Sequence, residues 1–257
     1  MLNLALLLGI LAAATVNAPT AVITFQSSET QTALLELYTS EGCSSCPPAE
    51  AWLSPLKESP RLWKDFVPLA FHVDYWDYLG WRDPWAARAF SDRQRTYAEH
   101  WRSESVYTPG FVLNGKEWRD WSSRRDVPKF SGASAGVLTV SSSDTNHWQV
   151  RFVPTLAGGV DYEVHAALLG CGLNSDVKAG ENRGCRLNHD FVVLTVVKAS
   201  LVRSGDIAQG GFALSVPRKT LESSLALAIW TTEGGRLAPL QATGGWLARP
   251  TPGRRDS

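Results

Sequence analysis

The sequence has no excess of either charge and almost no methionine. Its 257 residues include 25 Lys and Arg and 25 Asp and Glu, so the formal net charge is zero when the histidines are neutral. A chain without excess positive charge is not attracted to the phosphates of nucleic acid, so we predict no nucleic-acid partner. The only methionine is Met1. That scarcity fits a protein that works among oxidants, although chance and a leucine-rich core explain it nearly as well.

The apolar run at the N-terminus is too short to span a bilayer comfortably. It covers residues 1–14 and is followed by small residues that suit a signal peptidase. We predict that residues 1–21 are a signal peptide or an N-terminal hydrophobic segment, although no Lys or Arg precedes the run. An uncleaved anchor and a buried hydrophobic start are the alternatives. The mature protein is then expected to be periplasmic or secreted, with no stable membrane insertion after cleavage.

Cysteine is also scarce, and its placement is the strongest chemical signal in the chain. Two of the four cysteines, Cys43 and Cys46, are three residues apart and directly precede Pro47-Pro48-Ala49-Glu50. The prolines predict the first turn of a helix. Two thiols at that position can close a disulfide locally, and the positive end of a helix favours the thiolate form. The pattern therefore predicts a redox dithiol.

The residues before the dithiol predict a buried strand that contains one carboxylate. Residues 32–38 are rich in leucine, and Glu36 is the charged exception. Either Glu36 lies on the exposed face of an edge strand, or it is an internal acid beneath the dithiol. In the second case burial would raise its pKa and let it relay protons to Cys46. A second buried strand, predicted over residues 67–73, carries His72, which we interpret as a core residue.

An aromatic and acidic segment follows the second strand. Residues 74–81 place rings between carboxylates, and exposed rings usually mark a contact site. We predict that this segment binds an unfolded or peptide substrate, although the rings could instead pack as a lid over the next helix. That helix is predicted to begin at Asp83-Pro84, and Asn114-Gly115 predicts a hairpin turn. The candidate substrate-binding residues are Tyr75, Trp76, Trp81 and Thr108.

This order of elements, with three motifs inside it, resembles a known family. A strand, Cys-x-x-Cys at a helix start, a strand, a helix and Thr-Pro before a hairpin is the order of a thioredoxin fold. The motifs ELYTSEGCSSCPPAE, FHVDYWDYLGWRDPWA and VYTPGFVLNG resemble an uncharacterised, mostly bacterial exported family with a thioredoxin-like domain. The resemblance is close over residues 34–115 and continues weakly into residues 180–189. It implies that Cys43 is the exposed attacking thiol, that Cys46 is the resolving thiol, and that Pro109 is a cis-proline beside them.

The second half of the chain has a different composition. Residues 131–136 are typical of a linker, and short alternating strands with glycine-rich turns follow it, which predicts a β-sandwich. The predicted fold is therefore an α/β thioredoxin-like domain over residues 30–130 and an all-β sandwich-like domain over residues 136–250. We find no catalytic constellation in the second half, where His165 and His189 lack metal-ligand spacing with the cysteines. The predicted strands there are residues 137–140, 148–153, 162–169, 191–197, 212–216 and 225–231.

The remaining two cysteines bracket a polar loop in the second half. We predict a structural disulfide between Cys171 and Cys185. Four cysteines permit three pairings, and local closure at both sites is the simplest. Closing a loop of this length would stabilise the fold by about 3 kcal/mol in the chain-entropy model.

The function predicted from these features is that of an exported thiol–disulfide oxidoreductase. It would act on protein or peptide thiols and disulfides together with a redox partner protein, and we predict no cofactor and no metal site. Two alternatives belong to other classes. The Cys-x-x-Cys pair could bind copper(I) or zinc with His72 as a third donor, although the sequence has no second such pair and no methionine cluster. The protein could also be a binding module in which Cys43–Cys46 is a permanent disulfide and the second half recruits a partner.

Overall fold

The computed structural model describes residues 22–129, 134–155, 160–215 and 224–248 of the chain. The signal peptide predicted over residues 1–21 lies outside these ranges, as does half of the linker predicted over residues 131–136. Within these ranges, no helix is both long enough and apolar enough to cross a membrane.

Fourteen strands and two α-helices form the regular structure of the described residues. Their bounds in chain order are β1 Ile23–Gln26, β2 Ala33–Thr39, α1 Pro47–Leu53, β3 Phe66–His72, α2 Arg88–Trp101, β4 Gly110–Leu113, β5 Lys116–Glu117, β6 Val137–Ser142, β7 His147–Val153, β8 Tyr162–Cys171, β9 Leu173–Asp176, β10 Arg186–His189, β11 Val192–Ser204, β12 Ile207–Ala213, β13 Ser224–Glu233 and β14 Pro239–Ala248.

Proline positions decide where the first helix begins and ends. α1 begins at Pro47, where a missing amide hydrogen costs little because the first turn has no partner for it. It is followed at once by the 3-10 helix Ser54–Glu58, which contains Pro55. α2 begins at Arg88, four residues later than Pro84, which was predicted as its first residue. The carboxylate of Asp83 is used instead in a tight turn, where it accepts a hydrogen bond from a backbone N–H two residues on.

One long strand joins the two halves of the chain. β2 pairs in parallel with β3 and antiparallel with β4. β11 pairs with β3 at its first residue, runs antiparallel to β8 along most of its length, and pairs with β12 at its end. These pairings produce a mixed sheet of 12 strands, with β9 and β10 forming a separate two-stranded hairpin.

Strands β8 and β13 are buried on both faces. Because successive side chains of a strand point to opposite faces, alternate residues enter two different hydrophobic cores. Along β8, Ala167 and Leu169 pack with β2, β3 and α1, whereas Ala166 and Leu168 pack with β6, β7 and β12. β13 alternates in the same way. The two cores are therefore built on opposite faces of shared strands.

The predicted fold class is wrong. An α/β thioredoxin-like N-terminal domain followed by a separate β-sandwich does not describe a chain that is mostly β-sheet, with two α-helices in the described residues and strands of both halves in one sheet. The physical reason is that β8 and β13 need apolar cover on both faces. The first half of the chain supplies that cover on one face.

A buried ion pair holds α2 against the sheet. Glu36 of β2 is fully buried and accepts two hydrogen bonds from the guanidinium of Arg93 in α2, at 2.7 and 3.1 Å. The hydroxyls of Tyr38 and Tyr97 also donate to Glu36, at 3.0 and 2.6 Å. This burial excludes the interpretation of Glu36 as a surface carboxylate on an exposed strand face.

We expect Arg93→Ala to lower the free energy of unfolding by about 3–5 kcal/mol, because it leaves the charge of Glu36 buried without a partner. Urea denaturation checks this value. Arg95→Ala is the matched control on the same helix, since Arg95 pairs with Asp92 at an exposed site, where an ion pair contributes about 1 kcal/mol or less. Equal losses in the two variants would contradict the role of the buried pair.

Candidate functional site

The Cys43–Cys46 pair forms a disulfide between the end of β2 and the start of α1. The two Cα atoms are 5.5 Å apart. The backbone turns tightly here, with Cys43 N–H donating to Ser40 O and Cys46 N–H donating to Cys43 O, both at 3.2 Å. The carbonyl of Cys46 then accepts from Glu50 N–H at 3.2 Å, so that Glu50 lies one helical turn after the second sulfur.

The sulfur of Cys43 faces two oxygen atoms. Its Sγ lies 3.3 Å from Ser45 Oγ and 3.8 Å from the carbonyl oxygen of Thr108. Pro109 directly follows the carbonyl that faces the sulfur, and the Thr108–Pro109 peptide bond is cis. The structure therefore brings together Cys43, Cys46, Thr108 and Pro109, which the sequence analysis had selected from separate segments.

Both sulfur-bearing residues are buried. Cys43 is 1% exposed and Cys46 is 0% exposed, whereas Ser44 and Ser45 between them are exposed. The expectation that Cys43 is an exposed thiol is therefore wrong for this conformation of the chain.

Part of the cover comes from the loop between β9 and β10. The carboxylate of Glu181 accepts a hydrogen bond from Ser44 N–H at 2.8 Å. The amide of Asn182 is buried, and its Nδ2 donates to the carbonyls of Glu41 and Cys43, both at 2.9 Å. This loop, which we call the covering loop (residues 177–185), is thus hydrogen-bonded to the backbone on both sides of Cys43.

Five buried ionisable side chains form a cluster beside the disulfide segment. His189 in β10 is hydrogen-bonded through Nδ1 to Glu50 Oε2 and through Nε2 to Glu41 Oε1, the latter at 3.0 Å. His72, at the end of β3, is hydrogen-bonded through Nδ1 to Asp83 Oδ2 at 2.7 Å. The two imidazole rings meet edge to face with centroids 5.0 Å apart. Because Glu41 and Glu50 flank the two cysteines in sequence, the cluster is attached to the disulfide segment at both ends.

Neighbouring donors hold the carboxylates of the cluster in place. Trp81 Nε1 donates to Glu41 Oε2 and Thr39 Oγ1 donates to Glu50 Oε1, both at 2.6 Å. Asp83 Oδ2 also accepts from Glu41 N–H at 2.9 Å. The side chains of the cluster are therefore fixed by partners from β2, β3, α1, β10 and the aromatic segment.

Opposite charges within the cluster reinforce one another. Burial alone lowers the pKa of His189, but its hydrogen bonds with Glu41 and Glu50 outweigh burial and raise the pKa to about 10. For His72, burial again lowers the pKa, and the charge and hydrogen bond of Asp83 produce a net rise. Burial raises the pKa of Glu50, and its hydrogen bond with His189 produces a net fall. Charged forms of both partners are thus favoured.

Glu36, which the sequence analysis selected as an internal acid, lies on the other face of the sheet. Residues alternate along β2, so Glu36 faces Arg93 of α2 whereas Thr39 faces Glu50 of α1. Because Cys46 immediately precedes α1, the buried carboxylate on its side of β2 is Glu50. A proton relay from Glu36 to Cys46 stays a prediction, and its hydrogen bonds with Arg93 and two tyrosines do not support it.

The aromatic segment contributes both to the core and to the surface. Tyr75 is partly buried, donates to Gln94 at 3.2 Å, and has its pKa raised by burial to about 12. Trp76 Nε1 donates to Thr108 Oγ1 at 2.8 Å, and the ring of Tyr78 stacks on Trp76 with centroids 6.5 Å apart. Tyr78 is 77% exposed. The segment thus stacks an exposed ring on the indole that is hydrogen-bonded to Thr108, the residue whose carbonyl faces Cys43.

The predicted Cys171–Cys185 disulfide is absent. Cys171 is buried at the end of β8, where its sulfur accepts a hydrogen bond from Phe191 N–H at 3.1 Å, and burial raises its pKa to about 12. Cys185 is exposed at the end of the covering loop. The two thiols face different environments, core and solvent, so local closure does not occur.

Sequence reasoning missed most of the buried cluster. It interpreted His72 as a core residue, with a third donor to a Cys-x-x-Cys metal site as the alternative, and it placed Asp83 at a helix start. It found no ligand spacing for His189 and assigned no role to Glu41, Glu50 or Asn182. One signal was available, because Glu50 follows Cys46 by four residues and therefore shares its helical face. No local signal connects His189 to Glu41, since 148 residues separate them.

Solved structures share this fold. A structure of a protein from Agrobacterium tumefaciens is 24% identical to the chain, covers 84% of it and 95% of its own length, and gives a TM-score of 0.58. The structure of HBP35 of Porphyromonas gingivalis is 12% identical, covers 90% of this chain and 80% of its own, and gives a TM-score of 0.56. At these identities the likeness shows the fold alone.

No curated protein has significant sequence similarity to the chain. A family model does match residues 34–231, which include the disulfide segment, the aromatic segment and the covering loop. The chain therefore belongs to the DUF1223 family, whose description is "protein of unknown function".

Proposed function

We propose that the protein is a thiol–disulfide oxidoreductase that uses Cys43 and Cys46 on protein or peptide substrates. The observation that carries this proposal is the disulfide across only two intervening residues, with Sγ of Cys43 facing the Ser45 hydroxyl and the Thr108 carbonyl. Cysteines in such short motifs commonly have a lowered pKa, and the thiolate is the reactive form. Ser45 Oγ is placed to donate to a thiolate at Cys43 once the disulfide is reduced.

The proposed reaction is a two-step exchange that balances in electrons and protons. The Cys43 thiol loses its proton to solvent, and its thiolate attacks one sulfur of a substrate disulfide. This attack forms a mixed disulfide and expels the other substrate sulfur as a thiolate, which takes up a proton from solvent. The Cys46 thiol then loses its proton in the same way and attacks Cys43 Sγ, which restores the Cys43–Cys46 disulfide and expels the second substrate thiolate, which is also protonated. The protein dithiol is oxidised by two electrons and the substrate disulfide is reduced by two. The reverse sequence oxidises a substrate dithiol.

The exposed aromatic surface supports a peptide as the substrate. Tyr78 stacks on Trp76, and Trp76 is hydrogen-bonded to Thr108 beside the disulfide. An extended chain bound over Tyr78 would therefore lie next to Cys43. Exposed apolar rings of this kind usually mark a contact site for another chain.

Exchange requires the covering loop to move, because Cys43 is 1% exposed with the loop in place. The loop is attached near Cys43 by few hydrogen bonds, from Asn182 to two carbonyls and from Ser44 to Glu181. Loops with few contacts open more readily than the strands that carry them. Opening of this loop is thus the step that we expect to admit a substrate.

The same burial favours a second candidate function. If the covering loop does not open, Cys43–Cys46 is a permanent structural disulfide and the protein is a binding module.

Binding of copper or zinc by the two cysteines has less support, because both sulfurs are joined to each other and are not free as thiolate ligands. Export to an oxidising compartment, proposed from the apolar N-terminus, is compatible with both redox and structural roles of the disulfide.

We expect Cys43→Ser to abolish reduction of insulin disulfides by the protein. Cys46→Ser should instead accumulate a mixed disulfide through Cys43, detectable by mass spectrometry, because the resolving thiol is missing. Cys185→Ser is the matched control, since Cys185 is exposed but lies outside the disulfide, and its activity should equal that of the wild type. Equal activity in Cys43→Ser and the wild type would exclude the proposed function.

The reduction potential of the Cys43–Cys46 disulfide separates the two candidate functions. A potential above about −300 mV together with exchange activity is expected for the oxidoreductase, because structural disulfides typically lie below that value. Equilibration with glutathione or dithiothreitol buffers measures it. A lower potential without exchange activity would support the binding module instead.

We expect Asn182→Ala to make the disulfide react with dithiothreitol about tenfold faster. The substitution removes the hydrogen-bond donor to two carbonyls. If the closed conformation of the loop loses about 1.4 kcal/mol of stability, the open conformation becomes about tenfold more populated. Asn188→Ala, at an exposed position of β10, is the control and should leave the rate unchanged. A rate for Asn182→Ala equal to that of the control would show that the loop does not limit access.

Tyr78→Ala should raise KM for a protein disulfide substrate about threefold to tenfold, which corresponds to about 0.6–1.4 kcal/mol of lost binding. The rate with a small disulfide such as oxidised glutathione should not change, because such a substrate does not reach Tyr78. Steady-state kinetics with both substrates make the comparison. Val202→Ala is the control, since Val202 is 75% exposed on β11; a similar rise in KM for both variants would refute a specific contact.

A further inference from the structure

We propose that His72, His189 and Glu50 form a binding site for a divalent transition-metal ion, with Zn²⁺ as the representative ion. Each of the three residues offers one ligand atom, and these three atoms all lie within 4.8 Å of one another. All three residues are buried. Two imidazoles and one carboxylate are a ligand set that binds zinc in catalytic sites, and related sets hold ferrous iron. The site goes beyond the proposed disulfide exchange, which needs no metal.

The free nitrogen of His72 points to a ligand. His72 is 0% exposed, its Nδ1 is bonded to Asp83, and within the described residues its Nε2 has no hydrogen-bond partner. A buried polar atom without a partner is costly and needs an explanation, and a metal ion is one of the few that fit. When a metal ion displaces the Nε2 proton, the bond to Asp83 keeps the remaining hydrogen on Nδ1 and leaves the Nε2 lone pair for the ion.

Carboxylates already occupy the positions that outer-shell groups take around metal-bound histidines. Metal-ligating histidines usually donate their second N–H to a carboxylate, which orients the ring and raises its basicity. Asp83 does this for His72 through Nδ1, and Glu41 does it for His189 through Nε2. The remaining nitrogen of His189, Nδ1, is hydrogen-bonded to Glu50 Oε2. A metal ion would replace the hydrogen between these two atoms and would be bound by both.

The charge of the cluster also favours a cation. Three buried carboxylates, those of Glu41, Glu50 and Asp83, face two imidazoles. Even with both rings protonated, the cluster carries one uncompensated negative charge. A divalent ion would replace ring protons, which leave to solvent, and would supply its positive charge at the same place.

A cleft borders the site on the side of Glu50 and His189. It has a volume of about 270 Å³, lies between α1 and β10, and is lined by Glu50 and His189 together with Ala51 and Arg186 among others. The carboxylate of Glu50, whose side chain is 8% exposed, is therefore the ligand nearest to solvent.

The test measures Zn²⁺ binding to the full chain carrying Cys185→Ser, stripped of metal and kept oxidised. Under these conditions Cys43 and Cys46 are joined to each other and the exposed thiol is gone. The remaining thiol, Cys171, is buried and burial raises its pKa to about 12, so no accessible thiolate accounts for binding. Elemental analysis after gel filtration should find one zinc per chain. Competition with a chromophoric chelator then gives the affinity.

His72→Asn is the diagnostic variant. The asparagine amide can keep the hydrogen bond to Asp83 but has no atom that replaces Nε2, and we expect zinc affinity to fall about 100-fold or more, since even outer-shell changes cost about 10–100-fold. His147→Asn is the matched control, because His147 pairs with Asp144 at the same 2.7 Å distance but at an exposed position. Its affinity should equal that of the parent protein.

Two further results keep the test decisive if His72→Asn folds poorly. Glu50→Gln, which keeps the size of the side chain and removes its charge, should also weaken binding. Co²⁺ bound to the oxidised parent should show visible d–d absorption without a thiolate-to-cobalt charge-transfer band. Absence of stoichiometric zinc, an unchanged affinity in both site variants, or a thiolate band with cobalt would each overturn the proposal.

Discussion

The imidazole of His189 is the contact on which the geometry of the candidate site depends. It comes from the second half of the chain and bonds Glu41 and Glu50, which lie on either side of the two cysteines. This contact adds to the hydrogen bonds that Asp83, Trp81 and Asn182 make with the same turn between β2 and α1. A charged residue from β10 therefore fixes the position of a segment that lies about 140 residues earlier in the chain.

This arrangement places two kinds of chemistry on one short segment. The sulfur of Cys43 faces the carbonyl of Thr108, whereas Glu41 and Glu50 point into the buried cluster. Any movement that opens the disulfide to a substrate acts on the same backbone that carries both carboxylates. The redox state of the sulfurs and the occupancy of the cluster would then influence each other through the segment they share.

Local features of this protein could be predicted from its sequence, and long-range ones could not. The Asn114-Gly115 turn is confirmed, because both residues have positive φ, 49° and 77°, between β4 and β5. Each of the six strands predicted in the second half overlaps an observed strand. These features depend on side-chain alternation and turn chemistry within a few residues.

Most of the errors concern the tertiary environment of a segment, and the late start of α2 is a local exception. The pairing of β11 with β3 merges the two halves into one sheet, and nothing in either strand alone indicates it. Cys171 and Cys185 are close in sequence, but the tertiary environment separates a core thiol from a solvent-facing one. The hydrogen-bond partners of Glu36 could not be predicted for the same reason, because they depend on which helix covers its face of β2.

β11 is a single strand of 13 residues that is hydrogen-bonded to β3 and β8 at one end and to β12 at the other. Neither hydrophobic core can come apart without breaking a ladder that the other core also uses. Heat or denaturant should consequently unfold both hydrophobic cores in one cooperative transition. A molecule that binds beside the disulfide would also protect strands on the far side of the sheet from amide hydrogen exchange.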